Sequence, residues 1–133
     1  MIIRQVPPAQ LPVVWPLIEK RVASALKYGG DTYGLEDVRA AIAASEWQLW
    51  DDGISITCTR VAEFPQRRVL FIMLSAGSIV SIQTIWPALE RFARAYGCKD
   101  IRWMGRPGWR RSGKLPKGWR HTHDVMMVEL TDG

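Results

Sequence analysis

Six consecutive apolar residues, Val69-Leu70-Phe71-Ile72-Met73-Leu74, stand between Arg67-Arg68 and Ser75-Ala76-Gly77. A half-buried strand alternates apolar and polar side chains, so a short run that is apolar at every position is the mark of a strand covered on both faces. This segment is therefore a central strand, and the rest of the chain must supply cover above and below it.

Three amphipathic stretches can provide that cover. Leu17, Ile18, Val22, Ala25 and Leu26 recur at helical spacing as far as Tyr28, where Gly29-Gly30 ends the helix. Pro16 is expected in its first turn, where a missing N–H costs nothing. A second helix is predicted from Leu35 to about Ala44, with Leu35, Val38, Ala41 and Ile42 on one face. After Gly77 a third carries Ile82, Ile85, Trp86, Leu89, Phe92, Ala93 and Tyr96, and ends at Gly97.

Elsewhere the period is two. Trp47 and Leu49, then Ile54, Ile56 and Cys58, flank Asp51-Asp52-Gly53, a turn that allows positive φ, so residues 46–62 read as a β-hairpin. Met1–Val6, Ile101–Met104 and Val125–Leu130 are predicted as further strands, the last closing the chain. The expected order is β, α, α, β, β, β, α, β, basic segment, β. With 133 residues, 47% of them hydrophobic, residues 1–133 form a single domain with ample material for a core. No window reaches membrane-spanning length, and Cys58 and Cys98, far apart in sequence, read as buried thiols in a reducing compartment. The chain is expected to be soluble, with no membrane partner.

The net charge of +5 is concentrated at one end. Residues 1–100 hold 11 Lys/Arg against 10 Asp/Glu, whereas residues 101–133 hold 7 against 3. Within 102–120, Arg106, Arg110, Arg111, Lys114, Lys117 and Arg120 are interleaved with Trp109 and Trp119, with no acid among them. Such a pattern offers charge to phosphates and rings to bases, so nucleic acid or an acidic protein surface is the expected partner of this polyanion patch. The competing arrangement turns Trp103, Trp109 and Trp119 inward to fasten the loop to the sheet and leaves the charges as a solvated rim. His121 and His123, two apart, lack a third metal ligand in the sequence and read as exposed polar residues; no metal is expected.

The order of elements, together with Ala95-Tyr96-Gly97-Cys98 leading into Ile101-Arg102-Trp103, then Gly105-Arg106-Pro107-Gly108-Trp109 and Gly118-Trp119, resembles the GNAT-like proteins encoded by tailed bacteriophages and prophages. The resemblance implies the acyl-CoA N-acyltransferase fold. The fold class is then α/β (α+β), a mixed, mostly antiparallel central sheet flanked by helices. It also implies that a loop opening the third helix would cradle the pyrophosphate of acetyl-CoA with backbone N–H groups. The corresponding residues are Gly77, Ser78 and Ser81, in a stretch with one glycine and no basic residue, where the family pattern begins with Arg or Gln. At the place of the family's usual tyrosine acid stands Trp109, whose indole cannot act as one. Glu46 and Glu63, at hairpin ends, are the candidate bases. These departures lead to the expectation of a fold kept without acetyltransferase activity, requiring no cofactor and serving as a binding or structural part, in the bacterial cytoplasm or a phage particle among other virion proteins. The alternatives are a working acetyl-CoA-dependent N-acetyltransferase and a nucleic-acid-binding module.

Overall fold

The computed structural model describes residues 4–27, 32–77, 79–104, 112, 115–122 and 125–131. The Asp51-Asp52-Gly53 turn is built as its residues dictate. Gly53 takes φ +88°, the Asp51 carboxylate accepts from the Gly53 N–H, and Asp52 accepts from Ile54 and Ser55. The turn joins β2 (Gln48–Asp51) to β3 (Ile56–Glu63) in antiparallel register, Leu49 opposite Cys58. On one side β1 (Arg4–Val6) pairs with β2; on the other β4 (Arg68–Ala76) pairs antiparallel with β3. The fifth strand, β5 (Asp100–Trp103), lies parallel to β4, and the sheet order is β1-β2-β3-β4-β5.

Helices cover both faces, as a central strand apolar at every position requires. One face carries α1 (Leu11–Leu26) and α2 (Leu35–Ala43), whose Trp15, Ile18, Val22, Val38 and Ile42 pack with Leu49, Ile56, Cys58 and Leu74. The other carries α3 (Ile79–Ala95), whose Ile85, Leu89 and Ala93 pack with Trp50, Leu70 and Ile72. At roughly 1.5–3 kcal/mol for each large side chain removed from water, these two layers supply the main stabilising term.

A β-bulge lets one strand serve both layers. Cys58 faces Leu74 but Thr59 faces Ile72, so Met73 has no residue opposite it on β3. An extra residue reverses the alternation. Ile72 thus joins the α3 layer while Leu74, two residues later, joins the α1/α2 layer.

Two expectations are corrected. Helix α1 begins at Leu11 after a short 3-10 turn (Pro8–Gln10), so Pro12 occupies the first turn and Pro16 lies inside the helix. Pro87 likewise lies inside α3. The predicted closing strand does not form: residues 125–131 have no regular structure, and Val125, Met126, Met127, Val128 and Leu130 are exposed. Its apolar run satisfied a local pattern, but a strand exists only when a neighbour completes its hydrogen bonds. No described helix is long and apolar enough to cross a membrane.

Candidate functional site

The parallel pairing of β4 with β5 runs from Val69↔Asp100 to Ile72↔Trp103 and stops there. Strand β4 continues for four more residues, Met73 to Ala76, still paired with β3 through Leu74↔Cys58, Thr57↔Ser75 and Ile56↔Ala76. Along its other edge, about 13 Å of backbone at the strand rise, no strand is paired with it among the described residues. The bulge and the end of the pairing with β5 fall at the same place, between Ile72 and Leu74.

The two strands are fastened at their opposite ends. Asp100 accepts from Arg67 Nη1 at 2.7 Å and from Arg102 Nε at 2.8 Å, and the Lys99 N–H donates to the Arg68 carbonyl. Arg102 first, and Arg67 with it, hold the Asp100 carboxyl below the usual aspartate range despite partial burial. Paired from Asp100 as far as Trp103 and, among the described residues, no further, β4 and β5 leave a wedge that is closed at the Asp100 end and open beside Met73–Ala76.

A loop from β4 into α3 closes the wide end of the wedge. Gly77 has φ +138°, and a Cβ placed on it would lie 1.9 Å from Ser55 Oγ. The loop therefore packs directly on the β2–β3 turn, and only glycine fits there. Beneath it Thr57 and Ser75 share a hydrogen bond of 3.1 Å between their hydroxyls. Beyond it the first turn of α3 has backbone N–H groups without helical partners, at the positive end of the helix dipole. An extended chain with amide groups can pair with the free edge of β4 while an anion on that chain meets the helix terminus.

Of the candidate residues, Gly77 and Ser81 lie at the wide end, in the loop and in the first turn of α3; Ser78 is outside the described residues. The candidate bases are elsewhere. Glu63 is opposite Arg68, at the far end of β4 and about 17 Å of strand from Met73. It is an exposed ion-pair partner of Arg68 at 2.8 Å. Glu46 is exposed between α2 and β2, on the far side of β3 from the wedge. Of the polyanion patch, Arg106, Trp109, Arg110, Arg111 and Lys114 lie outside the described residues. Lys117 and Arg120 are exposed, whereas Trp119 is turned inward against Trp86 and Trp103, with ring centroids 5.2 and 6.3 Å away. Trp119 is thus part of the α3 layer and not a stacking platform. Sequence reasoning missed Ser55, in the β2–β3 turn, and Thr57, for which the available signal was a hydroxyl side chain among the apolar residues of β3.

Cys58, fully buried in the α1/α2 layer, has its thiol pushed up to about 12 by desolvation. It is no nucleophile near neutral pH.

No family model matches the sequence, and no curated protein matches it significantly. Solved structures do match, over nearly the whole chain. A probable acetyltransferase superimposes with TM-score 0.65 at 13% identity, covering 100% of both chains. The fold is that of the GNAT acyltransferases. A ribosomal-protein-alanine N-acetyltransferase from Brucella melitensis biovar Abortus 2308 matches with TM-score 0.64 at 12% identity, covering 99% of each chain. A predicted acetyltransferase from Clostridium acetobutylicum, solved with acetyl-CoA, matches with TM-score 0.60 at 13% identity over 96% of this chain and 95% of that one. At such identities the GNAT likeness is one of backbone architecture, and function has to be argued from the wedge.

Proposed function

We propose that the chain binds an acyl-CoA in the wedge between β4 and β5 and transfers the acyl group to an amine. The observation that carries this reading is the free edge of Met73–Ala76, which ends at the N-terminus of α3. The pantetheine amides would pair with that edge and the pyrophosphate would meet the helix terminus. Attack of the amine nitrogen on the thioester carbonyl forms the C–N bond and breaks the C–S bond, and the departing thiolate takes up a proton. Neither Glu46 nor Glu63 reaches the wedge, so the proton of the attacking amine leaves to water, and the rate follows the fraction of acceptor already uncharged. Turnover should rise with pH until the acceptor amine is fully deprotonated.

A second reading keeps the fold without the chemistry, as a structural or binding component that requires no cofactor, for instance of a phage particle. The absence of Glu46 and Glu63 from the wedge favours it. Isothermal titration with acetyl-CoA at low salt, combined with a thiol-release assay over a panel of amines, separates the two. Wild type should bind, and Ser81→Glu should bind at least tenfold more weakly with unchanged stability, because an acid in the first turn suits the helix dipole but repels a phosphate. Binding without thiol release selects the silent reading. No heat from wild type overturns the acyl-transfer reading.

A further inference from the structure

A cavity of about 240 Å³ opens between the β1–β2 edge of the sheet and the C-terminal half of α3. It lies on the far side of β3 from the wedge. One wall is aromatic: the rings of Phe92 and Tyr96 lie 4.3 Å apart at 31°, and Phe92 is held edge-on by Trp50 at 5.3 Å. Gln5, Pro8, Ser45 and Gln48 contribute to the rest, and among the described residues no charged side chain lines it.

The hydrogen bonds behind the cavity fix which end of the Gln48 amide remains for it. Trp50 Nε1 donates to Thr59 Oγ1 at 2.9 Å, and Thr59 Oγ1 lies 2.9 Å from Gln48 Oε1. An indole N–H can only donate, so the Thr59 hydroxyl accepts from Trp50 and passes its one proton to Gln48. Thr59 is fully buried, so this chain has one direction, and the Gln48 atom that receives the proton is its oxygen. The amide nitrogen, with two N–H groups, is the end left to serve a ligand.

We propose that this cavity is a second small-molecule site, for an uncharged single-ring carboxamide or lactam. The ring packs on Phe92 and Tyr96, and the carbonyl accepts from Gln48 Nε2. The volume, equal to about eight waters at ~30 Å³ each, admits a single ring with one substituent. A charged ligand would lose its hydration there without gaining a counter-charge.

The test is titration of the isotopically labelled full chain with nicotinamide, with benzoate as the charged comparison, following the Gln48 side-chain amide and the Trp50 indole by NMR. Nicotinamide should shift the Gln48 amide saturably, benzoate should not, and acetyl-CoA should not compete. Gln48→Glu keeps an acceptor for Thr59 and replaces the donor, so the Trp50 indole signal and the unfolding midpoint should persist while affinity falls more than tenfold. Tyr96→Ala, at an exposed position, should weaken binding severalfold and provides the variant if Gln48→Glu fails to fold. An unshifted Gln48 amide, equal binding by benzoate, or wild-type affinity in the folded variant overturns the assignment.

Discussion

Replacing Gly77 by alanine adds one carbon where the chain has no room for it. The new Cβ would lie 1.9 Å from Ser55 Oγ and 2.5 Å from Ser55 Cβ, with the Ser55 Cα at 3.4 Å. Two costs follow. A side chain at φ +138° sits in a sparsely populated backbone region, worth ~1–3 kcal/mol. Displacing Ser55, which is buried and held by Asp52 through its N–H, costs about 1–3 kcal/mol more as overpacking. Gly77→Ala should therefore lose roughly 2–6 kcal/mol in denaturant unfolding. The two costs separate in a double-mutant cycle with Ser55→Gly, which removes the atoms at 1.9 and 2.5 Å and leaves an ordinary contact at 3.4 Å. The steric part should be recovered in the double variant and the backbone part retained, a coupling of at least about 1 kcal/mol. Strictly additive losses would refute the claim that the loop rests on Ser55, and a neutral Gly77→Ala would refute both costs.

Other consequences follow from the same physical accounting. Ser45 occupies the left-handed position that ends α2, at φ 62° with Glu46 N–H bonded back to the Ala41 carbonyl; Ser45→Gly should raise stability by about 0.5–1 kcal/mol in a denaturant titration. Thr59→Val keeps the shape but leaves the Trp50 indole N–H buried without its acceptor, which should cost ~1–3 kcal/mol by the same measurement. Cys58 retains its proton in the folded chain up to about pH 12, against 9.0 for an ordinary exposed thiol. The unfolded chain therefore releases that proton first, and stability conferred by the buried thiol is intact below pH 9 and lost between 9 and 12. Across that window the wild type should lose roughly 1 kcal/mol per pH unit relative to Cys58→Ala.

The elements with strong local signals were legible in the sequence. The apolar run at Val69–Leu74, the Asp51-Asp52-Gly53 turn and the Gly97 stop, where Gly97 takes φ +74° and the Cys98 N–H bonds back to Ala93, each carry their own chemistry. Helix α1 was misread at its start because two prolines, Pro12 and Pro16, both suit a first turn and only tertiary packing decides between them. The final strand failed for a related reason: Val125–Leu130 contains the side chains of a strand but not the neighbour that makes one. The wedge itself was invisible. It depends on where β4 and β5 stop pairing and on one unpaired residue, Met73, and neither leaves a trace in a run of six apolar side chains.

That unpaired residue also governs which changes of length the strand can absorb. Upstream of Met73 the even-numbered residues of β4 face α3; downstream they face α1 and α2. Deleting Met73 would remove the bulge and restore a single unbroken alternation, with Leu74 still opposite Cys58 and Ser75 still opposite Thr57. The deletion removes one side chain and reassigns none of those that follow it. Loss of the Met73 codon in frame would therefore be absorbed at the bulge, whereas loss of a paired neighbour such as Phe71 would turn at least one side chain of β4 to the other face.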